Sequence, residues 1–317
     1  MRYPGLPELA MSRRACLAAA VATPFAASAA WGASRPFFRR HGLPLGVQLY
    51  TMGDISSNLD AAFAQLVAIG YRTVELAGYL RRTPAELRQA LDKAGLKCTS
   101  AHVSLTPDQD FAKLAREARI IGFDRVVMPM FSMPTGVSLR PLAGESFVDT
   151  LARVARGMTQ DQWKAEAAFL NRAGEALRAE GLRLGYHNHN VEFSPGPDGR
   201  TGYDILLRET NPALVTFEMD AGWVASTGLD PVKLLKAHPG RFELMHVKDI
   251  KASQRPNFSL QMDGTEVGSG TMDWKRILPV AYAAGVRRFF VEQEAPFTGD
   301  RMDAVKISFQ HLDGLIA

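Results

Sequence analysis

The chain has two cysteines in 317 residues, Cys16 and Cys98, and only seven histidines. Two thiols cannot build the multi-bridge framework of a small secreted scaffold, so a buried core must supply the stability. No segment beyond the N-terminal region is apolar over the length a bilayer requires, which leaves no stable membrane anchor. Basic runs interleaved with aromatics are also missing, and a net charge of +4, partly from Arg13 and Arg14, gives no basis for nucleic-acid binding. No glycine-rich turn follows a strand pattern, because GSGTMDW (268–274) comes after a loop, and no arginine cluster stands near the last strands. Phosphorylated substrates and dinucleotides therefore lack their usual cradle.

The N-terminus is organised differently from the rest. MSRRACLAAAVATPFAASAA starts at Met11, carries Arg13 and Arg14, continues through an alanine-rich apolar stretch and offers Ala27-Ser28-Ala29 as a small-residue cleavage site. That layout predicts a twin-arginine-like export signal with a short leader over residues 1–33, hence export to the periplasm or medium through the twin-arginine machinery. Cys16 falls inside this segment, so Cys98 is left alone in the mature chain. A composition of 46% hydrophobic residues lets residues 34–317 form one large domain.

Within that domain short branched runs alternate with segments of helical period. Strands are expected at LGVQLY (45–50), TVELAG (73–78), KCTSAHVS (97–104), DRVVMPM (124–130), RLGYHNH (183–189), VTFEMD (215–220), FELMHVKD (242–249) and RFFVEQEA (288–295). Helices are expected at 58–69, from a Thr83 cap to Gly95, at 108–121, as one long helix ending at Glu180, and near 202–210, 231–237, 273–284 and 301–315. Eight strand-helix units predict a single-domain (β/α)8 TIM barrel. The Gly/Pro-rich stretch 131–146 reads as a lid.

In such a barrel chemistry gathers at the carboxyl ends of the strands. Side chains alternate along a strand, so Glu218 shares a face with Asp220, His246 with Lys248, and Glu292 with Glu294. Counting about five residues into each strand brings Asp220, His246 and Glu292 to one depth, with His187 and His189 arriving from the fifth strand. Carboxylates and imidazoles around an open position suit Mn, Mg, Co or Zn.

The segments TVELAG, SAHVS, GYHNHNVEF, FEMDAGW, ELMHVKD, EVGSGTMDW and FVEQEAP resemble the xylose-isomerase-like TIM-barrel superfamily of sugar phosphate isomerases and epimerases, which also includes endonuclease IV-type proteins. The resemblance implies a divalent metal held by Glu, Asp, His and Glu from four successive strands. It carries over to Asp220, His246 and Glu292, whereas the first Glu meets Gly185 or its neighbourhood. His187, His189 or Glu192 must then fill the gap; depth favours His187, and the carboxylate chemistry favours Glu192. The implied activity is proton abstraction from a free sugar or keto-sugar through an enediolate, by isomerisation or epimerisation, with Glu292, His189, Glu192 and Lys248 as catalytic candidates. Glu75, His102, Asn188 and Trp223 are the substrate-binding candidates. A keto-glycoside lyase or hydrolase on the same site, and a noncatalytic sugar-binding barrel, remain as alternatives. A DNA-repair endonuclease would need a three-metal cluster with more histidines and a basic groove.

Overall fold

A computed structural model of the chain describes residues 35–134 and 136–317. The export segment expected over residues 1–33, and with it the expected domain boundary, lies outside the described residues.

A short helix α1 (Phe37–His41) precedes a barrel whose elements alternate as the hydrophobic pattern requires: β1 (Leu45–Gln48), α2 (Leu59–Ile69), β2 (Thr73–Ala77), α3 (Pro84–Ala94), β3 (Lys97–His102), α4 (Phe111–Ile121) and β4 (Arg125–Met128). The second half runs α5 (Phe147–Gly157), α6 (Gln160–Ala179), β5 (Arg183–His187), α7 (Gly202–Glu209), β6 (Val215–Asp220), α8 (Ala221–Ser226), α9 (Pro231–Ala237), β7 (Phe242–Val247), α10 (Trp274–Ala284), β8 (Arg288–Val291) and α11 (Arg301–Asp313). All eight strands are parallel, and β8 pairs with β1 to close the ring. The (β/α)8 architecture is as the sequence predicts.

Local chemistry explains the boundaries. On α3, Thr83 accepts from the Glu86 amide while the Glu86 carboxylate accepts from the Thr83 amide, a reciprocal cap, and Gly95 stops the helix in the left-handed conformation. β6 is buried at all six positions although VTFEMD alternates apolar and polar residues, so Thr216, Glu218 and Asp220 share one buried face and Val215, Phe217 and Met219 the other. Inside the barrel Val127, Leu244 and Phe290 form a separate apolar cluster, and a Cβ at Gly46 would overlap the Phe290 ring.

Three expectations are corrected. The single long helix is two, because Met158 is extended and Thr159 opens α6 with its own capping box to Gln162. Strand pairing stops at Gln48, His102, Met128, His187, Val247 and Val291, short of the expected ends, because the chain there turns to form the site. Finally, Asp249 leaves the barrel and pairs as Asp249–Ile250 with Gly264–Thr265.

That small hairpin gives the GSGTMDW run its role. The buried Asp249 carboxylate accepts from the amides of Gly268 (2.9 Å) and Met272 (3.0 Å) and from Trp274 Nε1 (3.0 Å). A Cβ on Gly270 would collide with it, so only glycine fits. The anchored loop thereby fixes the chain one residue beyond Lys248.

Candidate metal centre

The carboxyl ends of β5 to β8 and β2 to β3 place nine titratable groups in one buried cluster. His187, Asp220, His246 and Glu292 each offer a ligand atom, and these four atoms lie within 4.8 Å of one another. His246 is central. Its Nδ1 lies 2.8 Å from Glu292 Oε2 and 3.7 Å from Asp220 Oδ2, and its Nε2 lies 2.7 Å from Glu75 Oε1. Lys248, fully buried, sets its ammonium 2.9 Å from Asp220, 2.7 Å from Glu292 and 2.7 Å from Glu294.

A second tier lies behind the first. Glu218 Oε2 is 2.9 Å from His102 Nε2, 3.0 Å from His187 Nδ1 and 3.1 Å from His246 Nε2. Glu75 accepts from Gln48 Nε2 at 2.7 Å and approaches His102 Nε2 at 3.2 Å. Sequence reasoning placed Glu218 on the face of Asp220 without giving it a role. The signal was the alternation in FEMD, which puts Glu218 one pleat deeper on that same face.

The electrostatics follow from this crowding. Burial opposes charge on His102, but Glu75 and Glu218 outweigh it and raise the imidazole to about 9. His246 is likewise held well above its ordinary value, against burial, by Glu218 and Glu292. Burial and the neighbouring His246 push His187 well below its usual range, which favours the neutral ring. His189 drops to about 4 through burial and the Lys248 charge. Despite burial, Lys248 and His246 hold Glu292 well below the carboxylate range, and Asp220 and Glu292 hold Lys248 well above its own.

The donor set fits a divalent cation. Five acidic side chains, Glu75, Glu218, Asp220, Glu292 and Glu294, face one ammonium and the three imidazoles of His102, His187 and His246. Glu75 Oε2 and Glu218 Oε1 are buried without a hydrogen-bond partner. A surplus of buried acid with two carboxylates and two imidazoles converging suits a hard to borderline metal.

Other candidates sit differently from expectation. Glu192, expected as a catalytic group or rival ligand, belongs to neither metal-capable group: Oε1 accepts from the Tyr186 hydroxyl at 3.0 Å and Oε2 from the His189 amide at 3.0 Å, so it staples the loop after β5. Asn188, expected to bind substrate, is fully buried and uses its side-chain amide on the Asp220 backbone, at 3.1 and 3.4 Å, tying β5 to β6. Trp223, expected as a stacking platform, is 2% exposed, with the Lys248 ammonium 5.2 Å from its ring centre and His189 at 5.4 Å. Glu75 lies under the cluster at 0% exposure, whereas His102 keeps an edge open. His102, with Tyr50, Ala77, Tyr79, Gln109 and Glu117, lines a cavity of about 620 Å³. A neighbouring one of about 440 Å³ shares Tyr50 and Ala77 and reaches Glu294 and Arg301. The described residues of the stretch expected as a lid, 131–134 and 136–146, are largely exposed apart from Phe131, which packs on Trp163.

Comparison with known proteins supplies context for this geometry. A family model described as "Xylose isomerase-like TIM barrel" matches residues 63–313. Inosose dehydratase of Lacticaseibacillus casei is 26% identical over 203 residues, which covers 62% of this chain and 64% of the relative's length. Inosose dehydratase of Geobacillus thermodenitrificans is 23% identical over 246 residues, 73% of this chain and 80% of that protein. A crystal structure of a sugar phosphate isomerase/epimerase from Parabacteroides distasonis superimposes with TM-score 0.65 at 25% identity, covering 86% of this chain and 94% of the other. By name two of these proteins dehydrate an inosose and the third isomerises or epimerises a sugar phosphate.

Proposed function

The chain belongs to the xylose isomerase-like TIM barrel family, and on that premise we propose that it is a divalent-metal-dependent enzyme removing a proton beside the carbonyl of a free sugar or keto-sugar derivative. The observation that carries the reading is the convergence of His187, Asp220, His246 and Glu292 from four successive strands into one group within 4.8 Å. Those four would hold the cation, which supplies Lewis acidity to a carbonyl and hydroxyl pair.

The chain's own groups divide the remaining work. Lys248 holds a positive charge, fixed by three carboxylates, against which negative charge on a substrate oxygen develops at low reorganisation. His189 Nδ1 is buried without a partner and its ring lies 4.9 Å from that of His187, so a neutral imidazole nitrogen is on hand to take a proton. Glu292 is the carboxylate on the other side of the transfer. His102 and Tyr50 stand where the cavities meet the cluster, and there a neutral, hydroxyl-rich substrate finds hydrogen-bonding partners in Tyr79, Gln109 and Glu117.

An anion formed next to a carbonyl can be reprotonated, giving isomerisation or epimerisation, or can expel a β-substituent. Two inosose dehydratases among the relatives favour loss of water as the second outcome. Purified protein loaded with Mn, Mg, Co or Zn and given a panel of sugars and keto-sugars in deuterated water tests the reading. Exchange of a carbon-bound proton, with or without elimination, supports it. Tight monosaccharide binding with no exchange on any substrate would leave a sugar-binding barrel instead. We also propose export, on the strength of Arg13 and Arg14 and the apolar stretch after them; Arg13→Lys with Arg14→Lys should retain the protein in the cytoplasm on fractionation.

A further inference from the structure

We propose that Glu218 is the positioning residue of this centre: one carboxylate oxygen fixes which nitrogen of His187 carries the proton and holds His102 and His246 in line with it. The geometry stands independently of the metal; the consequence for binding rests on the function proposed above. Glu218 and His187 are register partners across β6 and β5, so sheet pairing sets their approach. Of the two deep carboxylates, Glu75 reaches His102 and His246, while Glu218 reaches His187 as well. A carboxylate oxygen accepts and cannot donate, so a nitrogen facing it at 3.0 Å must carry hydrogen. His187 Nδ1 is that nitrogen. A neutral ring protonated there has its lone pair on Nε2, which frees Nε2 for the group formed with Asp220, His246 and Glu292. A ligating histidine whose other nitrogen donates to a carboxylate has its ring orientation and basicity set by that partner.

The main competitor is a second cation. His102, His187, Glu218 and His246 also offer ligand atoms within 4.8 Å of one another. This set shares His187 and His246 with the first, so filling both would require two rings to bridge as imidazolates, each stripped of its last ring proton. Separations of 2.9 to 3.1 Å around Glu218 Oε2 are already those of hydrogen bonds and need no such ionisation.

The test is nitrogen-15 NMR of histidine-labelled, metal-free full-length protein, with His187→Gln used to assign the signal, followed by titration with Mn and Zn. The wild type is expected to show His187 as the Nδ1–H tautomer. In Glu218→Gln, whose amide can present a donor to the ring, the tautomer should shift and cation affinity should fall by about 10–100-fold. Glu218→Asp should restore part of both. An Nε2–H tautomer in the wild type, unchanged tautomer and affinity in Glu218→Gln, or two cations per wild-type chain would each overturn the proposal. If Glu218→Gln does not fold, the wild-type tautomer and stoichiometry decide. Should the wild type bind no cation while the tautomer still responds to Glu218→Gln, the metal reading fails and the positioning role stands.

Discussion

The barrel interior changes character over two residues of the same strands. On β7, Leu244 gives way to His246 and then Lys248; on β8 and beyond it, Phe290 gives way to Glu292 and Glu294; on β6, Thr216 gives way to Glu218 and Asp220. The lower tier is an apolar plug of Val127, Leu244 and Phe290 that leaves no room for a side chain at Gly46. The upper tier is a buried cluster of acids, imidazoles and one ammonium. One pleat repeat serves both because consecutive inward positions see different surroundings: the lower ones pack, and the upper ones meet the mouth. Stability should therefore reside in apolar packing, of the plug and of the larger core between strands and helices, and chemistry in the cluster.

The contrast is tested most severely at Phe290. Phe290→Ala removes a fully buried ring from the plug and should destabilise the protein by ~3–5 kcal/mol in chemical denaturation, while cation binding at saturation survives. Loss of binding with little loss of stability would erase the distinction between the tiers. In the opposite direction, Glu292→Gln should lower substrate proton exchange by about 10²–10⁴-fold, with a smaller loss of stability than Phe290→Ala gives. A weaker version of the first experiment is Gly46→Ala, whose methyl must displace the Phe290 ring; ~1–3 kcal/mol of destabilisation is expected, read as a lower denaturation midpoint.

A separate effect concerns Glu192, which lies outside both tiers. Burial raises its carboxyl to about 7 in the folded protein, against an ordinary carboxylate value when unfolded. Between those two values the unfolded chain binds fewer protons than the folded one, so stability falls as pH rises towards 7 and levels off above it. Glu192→Gln removes this dependence. The melting temperature of the wild type should decline relative to the variant between about pH 5 and 7.5, and a parallel pair of curves would exclude the assignment.

The barrel was legible because each parallel strand, buried on both faces, leaves a compact branched run, and each helix leaves a cap or a glycine stop, as at Thr83 and Gly95. The break between α5 and α6 was written in Thr159 and Gln162 but masked by the helical composition on either side. Asp220, His246 and Glu292 could be grouped because alternation and depth bring strand ends together, whereas the choice among His187, His189 and Glu192 stayed open. What alternation cannot supply is which buried polar atoms already have partners. Asn188 and Glu192 carry the right chemistry in the right motif, yet backbone amides of neighbouring strands and loops occupy them. Glu218 was passed over for the opposite reason, since only the register with β5 reveals three imidazoles around one of its oxygens.

Equilibrium dialysis against Mn, Co and Zn, followed by elemental analysis of wild type and Asp220→Asn, bears most directly on the account. Asparagine can still cap α8 through the Trp223 amide, which Asp220 Oδ1 accepts at 2.8 Å, so the fold should persist. One cation per wild-type chain, lost in a variant that still unfolds cooperatively, is the predicted result. A wild type that retains no divalent cation, or a variant that retains as much as the wild type, would contradict it.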